Sequence, residues 1–190
     1  MKTRASKTLA FGAALIMATL AMNSAFAEGG RKVHMRFAGD FIQNLEQTVV
    51  DPMGQAVETS TVGLIRTKAK GNLGRADLTA AAKSTPVVPG PDERCPDFFM
   101  KVTDIDDNSL VLTFMNLSLL YGDGDGVVCI NFANGEQFVA IDGNWLGGTG
   151  RFRNATGKFS IRFDEFVVVN PATQLVAESG TITGTLSRGQ

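Results

Sequence analysis

The chain has 190 residues, is 44% apolar, and sets 18 Lys and Arg against 19 Asp and Glu. That is about one domain's worth of chain, with enough residues to bury most of its apolar surface in one core. The bulk charge gives no electrostatic reason to seek nucleic acid or anionic lipid.

Residues 1–27 read as an export signal. Lys2, Arg4 and Lys7 open it, an apolar run spans 9–22, and Ala25 and Ala27 stand at the small positions of a cleavage site. The run is too short for a membrane span, which needs ~20 residues. Cleavage is expected after Ala27, leaving a domain of 28–190 in a periplasmic or secreted location. The signal takes away three positive charges and no negative ones. The domain then sets 15 Lys and Arg against 19 Asp and Glu, a net charge of −4.

From there the chain reads as strands and turns. Apolar and β-branched runs fall at 33–41, 61–69, 74–82, 97–105, 109–117, 126–132, 136–145, 157–169 and 176–186. GNLG (71–74), DIDDNS (104–109), YGDGDG (121–126), ANGE (133–136) and VNPATQ (169–174) supply the turn residues between them. Four of the six prolines lie in 85–96, which predicts one long surface loop rather than an interior strand. No helical pattern separates the strands, so parallel βαβ units are not expected.

Eight or nine strands with short connections predict an antiparallel sheet closed as an eight-stranded barrel. SLVLTFMNL (109–117) is apolar on both faces, which predicts that a loop or another subunit covers its outside.

Cys95 and Cys129 form an even pair in a chain marked for export, which predicts a disulfide. The alternative is two separate buried thiols. No CxxC spacing or nearby His supports a metal. A closed loop of about 34 residues would make the crosslink worth ~3–4 kcal/mol.

GGTGRFRNATGKF (147–159) is the most patterned stretch. It fails as a phosphate loop because Phe159 follows Lys158 where Ser or Thr is required. It fails as a dinucleotide loop because Arg153 takes the third glycine position and a strand follows where a helix is needed. The remaining reading is a tight corner: Gly147, Gly148 and Gly150 for the reversal, Phe152 as an apolar plug, and Gly157 where the next strand restarts.

Gly147, Gly148, Thr149, Gly150, Phe152, Ala155 and Gly157, with Gly180, Ile182 and Gly184 later, resemble the signature of the allene oxide cyclase/dirigent barrel superfamily. The likeness is strongest to its secreted bacterial members. The resemblance implies an eight-stranded antiparallel barrel, often trimeric, with an apolar interior that in the plant members binds or steers small hydrophobic molecules. None of that superfamily's catalytic residues can be matched here.

Candidates for chemistry are few. His34 is the one histidine, so histidine-based hydrolysis and multi-His metal sites are poorly supported. Asp123 and Asp125 resemble half of a calcium loop, but the acidic residue at the twelfth position is missing. Neither a metal nor a cofactor is expected. Glu165 and Glu178 fall on the apolar faces of the last two strands by period two. A hairpin across 170–174 would bring them together near the barrel's rim, where a carboxyl can serve as acid or base. A bulge or a wet rim position is the plainer reading.

The expected function is non-enzymatic: binding of a small apolar molecule, or a scaffold role outside the cytoplasm. The alternative is a cofactor-free cyclase or isomerase acting on a hydrophobic substrate inside the barrel, with Glu165 or Glu178 assisting. A third reading is an assembly subunit that uses 109–117 as its interface.

Overall fold

The structure is a computed structural model that describes the backbone of residues 30–50, 53, 56–170 and 175–188. Residues 1–27, expected to be an export signal, and 171–174, expected to be part of a turn, lie outside the described residues. So do the side chains of 40–50, 56–59, 107, 165–170, 175, 176 and 188.

Among the described residues eight strands run in chain order: β1 (Arg31–Val50), β2 (Ala56–Gly71), β3 (Gly74–Gly90), β4 (Met100–Phe114), β5 (Leu119–Asn131), β6 (Glu136–Gly148), β7 (Ala155–Asn170) and β8 (Leu175–Arg188). Each pairs antiparallel with the next, and β1 pairs with β8 to close the barrel. Period two decides what faces inward. On β8, Glu178, Gly180, Ile182 and Leu186 point into the barrel, while Thr181, Thr183 and Thr185 are left outside.

Two expected turns are strand instead. DIDDNS lies inside β4, so the runs at 97–105 and 109–117 form one element. A register shift between Ile105 and Asn108 absorbs the surplus residues as a bulge, and the strand continues on either side. YGDGDG lies inside β5, hydrogen-bonded to both neighbours. Gly122 faces inward under aromatic rings, and Gly124 and Gly126 press on the backbone of β6. A Cβ on Gly122 would stand 2.7 Å from Phe159 Cε1. Asp123 and Asp125 alternate outward and are exposed.

The proline segment is also shorter as a loop than expected. β3 continues through Pro86 to Gly90 and pairs there with β4 alone. Its last pairing with β2 is Ser84 with Thr61, so the prolines sit where one side of the strand asks for no ladder bonds. Residues 91–99 then cross the outside of the barrel.

The outer cover that the described residues supply lies on β5 and β6. Cys95 is bonded to Cys129, with Cα atoms 5.8 Å apart. Phe99 meets Phe138 edge-on at 6.5 Å. Together they bury Val127, Cys129 and Ala140 on the barrel's outer surface. Met115 and Leu117 belong to the exposed turn after β4, and the strand ends at Phe114.

Candidate functional site: the barrel interior

The barrel has a filled end and a hollow end. The filled end holds the β2–β3, β4–β5 and β6–β7 turns. Phe152 is carried by a 3-10 turn, Gly150–Phe152, and is 4% exposed. It packs on Phe114 with ring centroids 4.7 Å apart. Trp145 and Phe159 meet at the same separation further in.

The glycine stretch is the corner that sets this plug. Thr149 N–H donates to the Leu119 carbonyl at 2.9 Å, and Leu119 N–H donates back to Thr149 Oγ1 at 3.0 Å. A Cβ on Gly148 would lie 2.2 Å from the Leu119 carbonyl oxygen, so the two turns meet backbone to backbone. Gly147, Gly150 and Gly157 all have positive φ, at 141°, 56° and 134°. These conformations cost a side-chain-bearing residue energy that glycine avoids. Ala155 is buried beside them.

At the other end the interior opens into a cavity of about 260 Å³. Ile65, Ile105, Ile130, Val139, Ile141 and Phe163 supply most of its apolar wall. Glu178, Gln137, Ser84 and Thr103 contribute polar atoms. Phe163 is braced from behind by Phe37, edge-on at 5.2 Å. A Cβ on Gly180 would lie 2.6 Å from the Phe37 ring, so that glycine makes room for the brace.

Glu178 is the titratable group of this cavity among the described residues, and it is 4% exposed. Glu165 does not stand opposite it. A register shift lies between Phe163 and Glu165, after which Glu165 pairs with Ser179 and Phe166 with Glu178. The bulge therefore gives Phe166 the register position that period two assigned to Glu165. The Glu165 side chain lies outside the described residues.

His34 is exposed, and its backbone N–H donates to Asn72 Oδ1 at 3.0 Å. Among the described residues no three His, Cys, Asp or Glu side chains gather as a metal site. The pattern reading missed Asn108, which it placed in a turn. Asn108 is fully buried on β4, and neither its Oδ1 nor its Nδ2 has a hydrogen-bond partner in the structure. An inward amide so placed is a second polar feature of the interior.

No family profile matches the chain, and no curated protein matches it. Among solved structures, one match is a pterocarpan synthase dirigent protein. It is 14% identical, the alignment covers 85% of this chain and 87% of that one, and the TM-score is 0.36. No helix among the described residues is long and apolar enough to cross a membrane.

Proposed function

We propose that the chain is an exported barrel of the allene oxide cyclase/dirigent type that binds a small apolar molecule at its hollow end. The single observation that carries this is the cavity itself: an apolar wall with a buried carboxyl and few other polar groups. Ligand sites combine these features, since apolar area supplies affinity and sparse polar atoms fix orientation. At about 260 Å³ the cavity is smaller than the ~300–1,000 Å³ of sites for drug-sized ligands. It suits a small molecule, or one end of a longer one, with a hydroxyl or carbonyl directed at Glu178. In this reading 1–27 is removed on export and the barrel works outside the cytoplasm.

The test is native mass spectrometry of protein recovered from its host, with an Ala82→Phe variant beside it. Ala82 lines the cavity, and the larger ring would fill it. A bound small molecule in the parent and none in the variant is the expected result. Equal occupancy in both, or none in either across apolar probe libraries, would overturn the reading.

A second reading, a cofactor-free isomerase, draws on Glu178 alone. A buried carboxyl facing a bound apolar substrate can move a proton. Glu178→Gln separates the two. Binding retained with turnover lost favours the isomerase; loss of binding with no turnover in the parent favours the carrier.

A further inference from the structure

The net charge hides a strong separation of charge along the barrel axis. Residues 30–39, 69–76, 112–122, 143–158 and 179–188 build the turns of the filled end and the strand ends beside them, bounded by Asp77, Asp123 and Asp142. They contain nine Lys and Arg and no Asp or Glu. The mouth carries Asp92, Glu93 and Asp97 in the outer loop, Asp104 and Asp106 on β4, and Glu136 at the start of β6, while Asp77 stands just inside the filled end and Asp123, Asp125 and Asp142 lie along β5 and β6.

The cations of the filled end are not merely numerous. Arg36 stands directly opposite Lys70, and Lys70 directly opposite Arg75, across three neighbouring strands. All three are exposed. Like charges directly opposed across a sheet destabilise it. Burial and then repulsion from Arg31 pull the Arg151 guanidinium below its ordinary value, so those two cations also crowd each other. An exposed array of this kind favours a negatively charged surface that would relieve it.

A second observation lies in the β4–β5 turn. Met115 is 83% exposed and Leu117 81%, the two largest exposures of any apolar side chain at this end. The turn is well tied. Leu117 N–H donates to the Phe114 carbonyl at 2.9 Å, and Phe114 N–H to the Ser118 carbonyl at 3.0 Å. Leu117 has φ of 61°, a conformation where Gly or Asn would be the economical residue. The fold thus holds two apolar side chains out into solvent at the tip of a predominantly cationic end. Lys68, Lys70 and Arg75 line the same groove as Met115 and Leu117, with Asp77 as its single carboxylate, paired with Lys68.

We propose that the filled end docks on an anionic lipid surface, with Met115 and Leu117 entering the headgroup layer and Arg31, Lys32, Lys70, Arg75 and Arg153 meeting lipid phosphates. Apolar tips flanked by cations are the combination that peripheral membrane binding uses. The acidic mouth then faces away from the surface, which leaves the cavity open to the aqueous side.

Vesicle co-sedimentation tests this with the protein as recovered from its host. Vesicles of phosphatidylcholine alone are compared with vesicles of phosphatidylcholine and phosphatidylglycerol in equal parts, at low and high salt. Binding is expected only to the anionic vesicles and should weaken with salt. Lys70→Gln with Arg75→Gln should lower affinity about tenfold or more, since each juxtamembrane cation contributes on the order of 1 kcal/mol. The same pair should leave the melting temperature unchanged or higher, because it relieves a cross-strand repulsion. Met115→Ser with Leu117→Ser should remove the binding that survives high salt. Absence of binding to anionic vesicles overturns the proposal, as does equal binding by the neutralised pair. Concentration-dependent self-association that the neutralised pair abolishes, without vesicle binding, would instead assign this end to the acidic mouth of a second copy.

Discussion

Phe152 stacks on Phe114 with ring centroids 4.7 Å apart and planes tilted by 37°, and the Arg151 guanidinium lies over both rings. The stack closes one end of the barrel with side chains from the end of β4 and from the 3-10 turn after β6. Phe152→Ala should therefore cost ~3–5 kcal/mol, the range for emptying a buried aromatic site. Urea unfolding measures it. A loss under about 1 kcal/mol would mean that the end collapses around the gap and that the plug is not structural.

The glycines of the corner are not equivalent to glycines elsewhere. Gly157 has φ of 134°, and a Cβ there would lie 2.2 Å from the Thr185 carbonyl oxygen. Gly135, at the tip of the β5–β6 hairpin, also has positive φ, at 76°, but a Cβ would meet nothing within 4 Å. Gly135→Ala carries the backbone cost alone, ~1–2 kcal/mol. Gly157→Ala adds a steric collision with backbone and should cost more, ~3 kcal/mol or above. Equal losses in paired denaturation curves would contradict this ordering.

Acid should weaken the fold partly through Asp92. Arg94 Nε and Nη2 each donate to it at 3.0 Å, as does the Arg94 backbone N–H. The side-chain hydrogen bond first, then the backbone one, hold the carboxyl far below the usual carboxylate range. A carboxyl depressed in the folded state stabilises above its unfolded value, ~3.9, and that contribution is lost as pH falls through the folded value. Asp142 adds in the same direction. Burial pushes its carboxyl up, but hydrogen bonds from Arg162 and Ser160 outweigh that and lower it. The part of stability owed to these carboxyls should stay level down to about pH 5 and fall below it. Asp92→Asn should make the acid limb shallower in urea midpoints taken at stepped pH. Parallel limbs for parent and variant would sink the assignment.

The Cys95–Cys129 bond ties the outer loop to β5. Cys95→Ser with Cys129→Ser should lower stability by ~3–4 kcal/mol on loop-closure grounds. It should also speed tryptic cleavage after Arg94, since 91–99 would be held by the Phe99–Phe138 contact and the Asp92 pairs alone. Unchanged cleavage would show that these contacts suffice.

Strand periodicity on β6 to β8 was largely readable, because inward positions such as Val139, Ile141, Phe159, Ile161, Gly180 and Ile182 are apolar or glycine, although Gln137 and Glu178 also face inward. Bulges were not. Nothing at Phe163 or Glu165 marks the shift that moves Glu165 out of register with Glu178. A bulge changes parity through backbone pairing, which composition does not record. DIDDNS and YGDGDG failed for different reasons. The first has turn chemistry but continuous partners on both sides, so the surplus folds into a bulge. The second uses glycine for close approach to Phe159 and Trp145, which resembles turn usage in sequence alone. Net charge misled in its own way: a sum of −4 said nothing about the cations gathered at one end.

Arg31, the first residue of β1, is paired with Leu186 near the end of β8. The barrel therefore begins and finishes at one place, beside the aromatic plug and opposite the mouth. A label, tether or fused domain joined through either flank would attach at the base and leave the opening clear. The same closeness makes the fold a natural subject for circular permutation: a short linker could join the two flanks, with new ends cut at the exposed Ala133–Gly135 tip.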